Sequence, residues 1–141
     1  MLLAVDVGNT NVTLALFDGE KLVADWRVTS HRARTADELA VELRELFELR
    51  GFDFGVVDGV VISSVVPNIN PALVEASRRY LKCEPVMVGP GVKTSVRIRY
   101  DNPKDVGADR IANALAAYTK YGGPVIVIDF GTAVTYDAIS A

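Results

Sequence analysis

Two stretches of this chain are built to one plan, and that repetition limits what the chain can fold into. Ala4-Val5-Asp6-Val7-Gly8-Asn9-Thr10, followed by Asn11-Val12-Thr13, is echoed by Val127-Ile128-Asp129-Phe130-Gly131-Thr132, followed by Ala133-Val134-Thr135. Each copy reads as an apolar strand, an aspartate, one residue, a glycine, small hydroxyl or amide residues, and a second strand. The copies stand a domain's length apart, so the repeat is a duplicated domain and not a short solenoid period. The second copy stops at Ala141, directly after what would be its first hairpin, and a lone hairpin is marginal in water. The expected organisation is a first domain over residues 1–122 and the opening of a second over residues 123–141.

The patterning between the copies is that of a mixed α/β domain. Leu2 to Val7 is a nearly continuous apolar run that reads as a buried strand, Val12 to Phe17 as the next, and Asp18-Gly19 as a hairpin turn into Lys21 to Val28. These should form three antiparallel strands. Thr35 and Glu38 have capping-box spacing ahead of Leu39, Leu43, Leu46 and Phe47, and Gly51 should stop that helix. Val60 to Val66 reads as a strand, Asn70-Pro71 as the cap and first turn of a helix to about Leu81, and Pro85 to Val88 as a short strand. Gly89 to Tyr100 fits neither pattern. A third helix should run from about Gly107 to Tyr121 with Ile111, Leu115 and Tyr118 inward, before the strand Pro124 to Ile128. Three strands followed by alternating helices and strands predict a mixed α/β sheet.

Composition removes several function classes. With 141 residues, half of them hydrophobic, the chain can bury roughly 68–70% of its unfolded surface and build a real core. A net charge of −3 without a basic run argues against a nucleic-acid or anionic-membrane surface. No apolar run reaches the about 18 residues of a membrane span, and Asp6 interrupts what would be a signal peptide's apolar stretch, so the expected location is the cytoplasm. A single cysteine, Cys83, and a single histidine, His31, leave almost no material for a disulfide, a thiolate zinc site or a histidine triad. Cys83 reads as a small hydrophobe near a helix end, Trp26 as a strand residue that is core or partly interfacial, and His31, beside Arg32 and Arg34, as a solvated loop residue.

Two constellations carry chemistry. In the repeated unit, glycine lets backbone N–H groups approach an anion, neighbouring hydroxyls add donors, and the strand-end aspartate can hold a magnesium ion or its waters. The plainer account is a tight hairpin in which Asp6 caps the turn and Gly8 supplies a positive φ. Duplication favours the phosphate account, because two facing loops can grip one polyphosphate. The second constellation, Tyr100-Asp101-Asn102-Pro103-Lys104-Asp105-Val106-Gly107-Ala108-Asp109-Arg110, opens the third helix, where unpaired N–H groups favour anions. There Asp109 suits a general base for an alcohol and Arg110 suits a carboxylate or phosphate oxygen. Alternatively Asp105 or Asp109 merely caps the helix and Arg110 forms a surface ion pair.

With these residues in view, DVGNTNVTLALF, NPKDVGADRIANALAAY and DFGTAVTYDAI, in that order, resemble the type III pantothenate kinases of the acetate and sugar kinase/Hsp70/actin superfamily. The first and third motifs point to the superfamily; GADR at a helix start points to the family. The resemblance implies a ribonuclease H-like mixed sheet with flanking helices, the first domain of a duplicated actin-like ATPase fold. It implies ATP-dependent phosphorylation of pantothenate to 4′-phosphopantothenate, the opening step of coenzyme A biosynthesis, by a homodimer that binds pantothenate near its subunit interface. It assigns Asp6 to Thr13 to the first ATP phosphate loop, with Asp6 close to Mg2+, through water. It assigns Thr132 to ATP, Asp129 to a monovalent cation (K+ or NH4+), and Tyr100, Gly107, Ala108, Asp109 and Arg110 to pantothenate, with Asp109 the proton acceptor. Thr13 stands where family members often carry Lys, and Asp105 where Glu is commoner. Two other readings share the fold: a non-catalytic regulatory or transcription-accessory protein, and a sugar kinase of the same superfamily. Acidity speaks against direct DNA contact by the first, and the second gives no account of GADR beside Tyr100.

Overall fold

A computed structural model describes residues 1–31, 33–89, 92–94 and 96–141; Arg32 lies outside the described residues. The chain divides into two compact units, Met1–Met87 and Val88–Ala141.

In the first unit, β1 (Leu2–Val7), β2 (Asn11–Asp18) and β3 (Lys21–Thr29) form an antiparallel meander. The apolar run of β1 is buried on one face only: Leu3, Val5 and Val7 point into the core, whereas Leu2 and Asp6 are exposed. The β2–β3 turn closes on the pair Asp18–Lys21 with Gly19 at φ 58. A glycine with positive φ at the first central position is the type II′ signature, whose twist matches that of the flanking strands.

Helix α1 (Ala36–Glu48) starts as its residues dictate. The Glu38 N–H donates to Thr35 Oγ1 at 3.2 Å and the Thr35 N–H donates to Glu38 Oε2 at 2.8 Å, a complete capping box. Its end is a Schellman motif: Phe52 N–H reaches the Phe47 carbonyl, Gly51 N–H reaches the Glu48 carbonyl, and Gly51 takes φ 76. The accompanying apolar contact is aromatic, with the Phe47 and Phe52 rings edge to face at 6.5 Å.

Strand β4 (Gly59–Ser64) runs parallel to β1, and β5 (Val86–Met87) parallel to β4, giving the order β3-β2-β1-β4-β5. This mixed sheet with flanking helices is the ribonuclease H-like arrangement of an actin-like ATPase amino-terminal domain. Between β4 and β5 the helical path begins earlier than Asn70, with a 3₁₀ turn at Pro67–Ile69, continues as α2 (Asn70–Ala76), and widens into a π-helical turn at Ser77–Leu81. Asn70 is therefore not a side-chain cap, and its Oδ1 is buried without a partner among the described residues. The wide turn coincides with Ser77 Oγ donating back to the Leu73 carbonyl at 2.8 Å, a bond that competes with the regular ladder. One core joins the strands to α1 and α2, centred on Phe47, which is fully buried, stacks on Trp26 at 5.0 Å and meets Phe54 edge on. Burying such a ring contributes about 1.5–3 kcal/mol. Cys83 is a buried member of this core and His31 is exposed.

In the second unit the described part of Gly89–Tyr100 carries no helix or strand. A 3₁₀ turn at Pro103–Asp105 precedes α3 (Ala108–Tyr121), and β6 (Val125–Phe130) pairs antiparallel with β7 (Val134–Ile139). Helix α3 packs on this hairpin. Its inner face is Ala108, Ile111 and Ala114; Leu115 and Tyr118, expected inward, are 37% and 46% exposed. Alanines let the helix lie close to the strands, so the larger side chains are turned aside. The compact division after Met87 groups α3 with the second hairpin. No helix among the described residues is long and apolar enough to cross a membrane.

Candidate functional site

At the carboxyl end of β1, strand register sets three polar residues in a row. Asp6 lies opposite Thr13 on β2 and, on its other side, opposite Ser63 on β4. Asp6 and Thr13 are exposed; Ser63 is buried, and its Oγ has no hydrogen-bond partner among the described residues. The loop from Gly8 to Asn11 is held from three directions. Gly8 N–H donates to the Asn11 carbonyl at 2.9 Å, Ser30 N–H to the Thr10 carbonyl at 2.9 Å, and Val65 N–H to the Val7 carbonyl at 3.0 Å. Gly8 does not have a positive φ, which removes the plainer reason for a glycine there. A Cβ at Gly8 would instead stand 3.1 Å from the Asn11 carbonyl oxygen.

The second hairpin repeats the construction. Asp129 lies opposite Thr135 as Asp6 lies opposite Thr13, Gly131 N–H donates across the turn to the Ala133 carbonyl at 3.2 Å, and Gly131 likewise has no positive φ. The loop between Phe130 and Val134 is one residue shorter than that between Val7 and Val12. A Cβ at Gly131 would meet its nearest neighbour, the Ala133 oxygen, at an ordinary 3.6 Å. Thr132 is exposed at the tip of this loop, while Asp129 is half-buried and accepts from Asn113 Nδ2 of α3 at 3.2 Å.

The start of α3 gathers the second constellation. Gly107 is the N-cap without a side-chain cap bond, and Asp109 Oδ1 accepts the Arg110 backbone N–H at 2.8 Å. Asp105 is engaged by Asn102 Nδ2 at 2.9 Å. The Arg110 guanidinium carbon stands 5.9 Å from the centroid of the Tyr100 ring. Arg110 Nε donates to Asp137 Oδ1 at 2.6 Å, Nη2 bonds the same carboxylate, and Nη2 also reaches the Tyr136 carbonyl at 3.3 Å. This is not a surface ion pair, because the two side chains are 26% and 14% exposed. The hydrogen bond to Asp137 is the main reason the guanidinium pKa is raised further, so Arg110 stays cationic at any working pH.

The structure thus brings Tyr100, Gly107, Ala108, Asp109 and Arg110 together at one helix start, and ties Asp129 to the same helix one turn on, through Asn113. Within the first unit it gathers Asp6 to Thr13 at one hairpin turn, on the end of β1, the connecting loop and the start of β2. Ser63, Asn113 and Asp137 are additional polar neighbours that sequence reading did not single out. No group of three or more His, Cys, Asp or Glu side chains poised for a metal occurs among the described residues. The oxygen donors of Asp6 are of the kind that suits a hard cation.

A profile of the type III pantothenate kinases matches residues 2–141. The chain belongs to the type III pantothenate kinase family. Proteins of that name from Moorella thermoacetica, Geobacter sulfurreducens and Geotalea daltonii are 53%, 51% and 49% identical to it over 140 residues, 99% of this chain. The chain spans about half the length of these curated relatives, 55% in each case. Membership in the type III pantothenate kinases gives the helix-start constellation and the two aspartate-glycine hairpins one common context.

Proposed function

We propose that the protein transfers the γ-phosphoryl group of ATP to the primary hydroxyl of pantothenate, giving 4′-phosphopantothenate for coenzyme A biosynthesis. The observation that carries this reading is the twice-built hairpin, each copy with an aspartate opposite a threonine and a glycine whose backbone needs no positive φ. At Gly131 a methyl would fit the fold without strain, so the bare backbone there serves whatever approaches it.

On this reading residues 1–122 form the first domain and 123–141 open the second. Asp6 to Thr13 and Thr132 bind ATP, their backbone N–H groups and hydroxyls donating to phosphate oxygens. Asp6 would hold Mg2+, through water, and Asp129 a monovalent cation, K+ or NH4+; bound there, the cations neutralise phosphate charge. Tyr100, Gly107, Ala108 and Arg110 bind pantothenate. Asp109 is the proton acceptor: its Oδ1 is turned to the Arg110 N–H, which leaves Oδ2 for the alcohol. As the alcohol oxygen bonds to the γ-phosphorus its proton passes to Asp109, and ADP leaves. Phosphoryl transfer asks for positioning and charge neutralisation more than covalent chemistry, which suits a site without histidine or cysteine. The protein acts as a cytoplasmic homodimer.

The test is turnover of the protein at its full natural length with ATP, Mg2+, K+ and pantothenate, read by mass spectrometry of the product. Asp109→Asn should fold normally and lose about 10²–10⁴ in kcat. No phosphopantothenate, under conditions where a control kinase works, overturns the reading. Near-normal turnover by Asp109→Asn removes the base role alone.

A further inference from the structure

Arg110 has five N–H donors, and the hairpin takes up one edge of its guanidinium. Nε and Nη2 both turn to Asp137 Oδ1, and Nη2 also reaches the Tyr136 carbonyl. This is not the parallel fork in which each nitrogen meets its own carboxylate oxygen. Asp137 Oδ2 is left buried with no partner among the described residues. A half-satisfied buried carboxylate is a poor way to stabilise a fold, since the orphaned oxygen carries a desolvation penalty. Its geometric effect is definite: the hairpin occupies the Nε/Nη2 edge of Arg110, Tyr100 engages the guanidinium by its ring face and as a hydrogen-bond partner, and the Nη1 end makes no hydrogen bond to the hairpin among the described residues. Arg has a long stem with much rotamer freedom to lose, so holding one edge determines where the other points.

We propose that Asp137 is a positioning residue that presents the Nη1 end of Arg110 to the carboxylate of pantothenate. The inference rests on the reading of Arg110 as a pantothenate contact. It also gives β7 a task in substrate recognition, through a side chain far from GADR in sequence.

The experiment compares Asp137→Asn with the unsubstituted protein at full natural length. It measures pantothenate Kd by calorimetry without nucleotide, KM for each substrate, and the thermal midpoint. Pantothenate Kd and KM should rise about tenfold, equivalent to about 1.4 kcal/mol, with KM for ATP within about twofold. Arg110→Lys should weaken pantothenate similarly, and the double variant should be no worse than the singles, because both remove one interaction. If Asp137→Asn fails to fold, Asp137→Glu, which keeps the charge and displaces it by one methylene, carries the same expectation. An unchanged Kd overturns the proposal. So does a tighter one, which would make Asp137 a charge that repels the substrate and not one that orients its receptor. Parallel losses in ATP KM, pantothenate KM and thermal midpoint would reduce Asp137 to a structural role and overturn it equally. Failure of the unsubstituted protein to bind pantothenate overturns the functional reading itself, an outcome distinct from normal binding that the Asp137 variants leave untouched.

Discussion

The two hairpin glycines offer a way to separate architecture from ligand approach, because the same substitution meets different surroundings in each. At Gly8 an added Cβ would lie 3.1 Å from the Asn11 oxygen, and that oxygen is fixed as the acceptor of Gly8's own N–H at 2.9 Å. The carbonyl has to yield, so Gly8→Ala should cost about 1–3 kcal/mol of stability as an overpacked contact. At Gly131 the corresponding distance is 3.6 Å, with no positive φ to forbid a side chain. Gly131→Ala should be neutral or gain about 0.4–1 kcal/mol, since alanine narrows the unfolded ensemble. If both glycines exist to let phosphate oxygens reach backbone N–H groups, both variants should lose at least about tenfold in MgATP affinity, or about 1.4 kcal/mol. Urea unfolding gives the first quantity and titration calorimetry with MgATP the second, in the protein at full natural length. Gly131→Ala then becomes the decisive variant, stable yet poor at binding nucleotide. MgATP affinity within about twofold of the parent in that variant would refute the reasoning that its bare backbone serves a ligand.

Two further outcomes follow from groups already described. Ser63→Ala should raise stability by about 1 kcal/mol in the absence of ligand, because it removes a buried hydroxyl that has no partner among the described residues; a lower unfolding midpoint would contradict this. Glu38 is held below its ordinary pKa of 4.5, first by the Thr35 backbone N–H and then by the Thr35 hydroxyl. A lowered folded-state pKa means the stabilisation is fully present above the unfolded value and is lost as pH falls through the folded one. The gap in thermal midpoint between the parent and Thr35→Ala should therefore narrow on going from about pH 7 to about pH 3; a gap that widens in acid would reverse the sign.

What could be read from the amino acids alone was mostly local. The capping box at Thr35 and Glu38, the stop at Gly51 and the turn at Gly19 act within a few residues, and each stands where its side-chain chemistry placed it. The motif residues of both constellations are local in the same sense, each set standing within one short stretch of chain. The inner face of helix α3 was legible at Ile111, which is buried, but not at Leu115 and Tyr118, because apolar size is a poor guide where Ala108 and Ala114 allow a close approach. The early helical start at Pro67 and the wide turn at Ser77–Leu81 depend on backbone detours that no periodicity announces. Asp137 was invisible for a more interesting reason. Alternation in β7 sets Val134, Tyr136 and Ala138 on one face and Thr135, Asp137 and Ile139 on the other, and a reader would bury the first set. The structure buries the second more deeply, against α3, with Arg110 and Asn113 receiving the hairpin's carboxylates.

That inversion leaves the other side of the hairpin bare. Ile126, Ile128, Phe130, Val134 and Tyr136 are between 48% and 80% exposed, next to strand edges that pair with no third strand among the described residues. Greasy side chains beside open backbone donors and acceptors are the ingredients of edge-to-edge sticking. Self-association of these 141 residues should therefore run through that one ribbon, and a charge placed at Ile126 or Phe130 should reduce it, as read by light scattering.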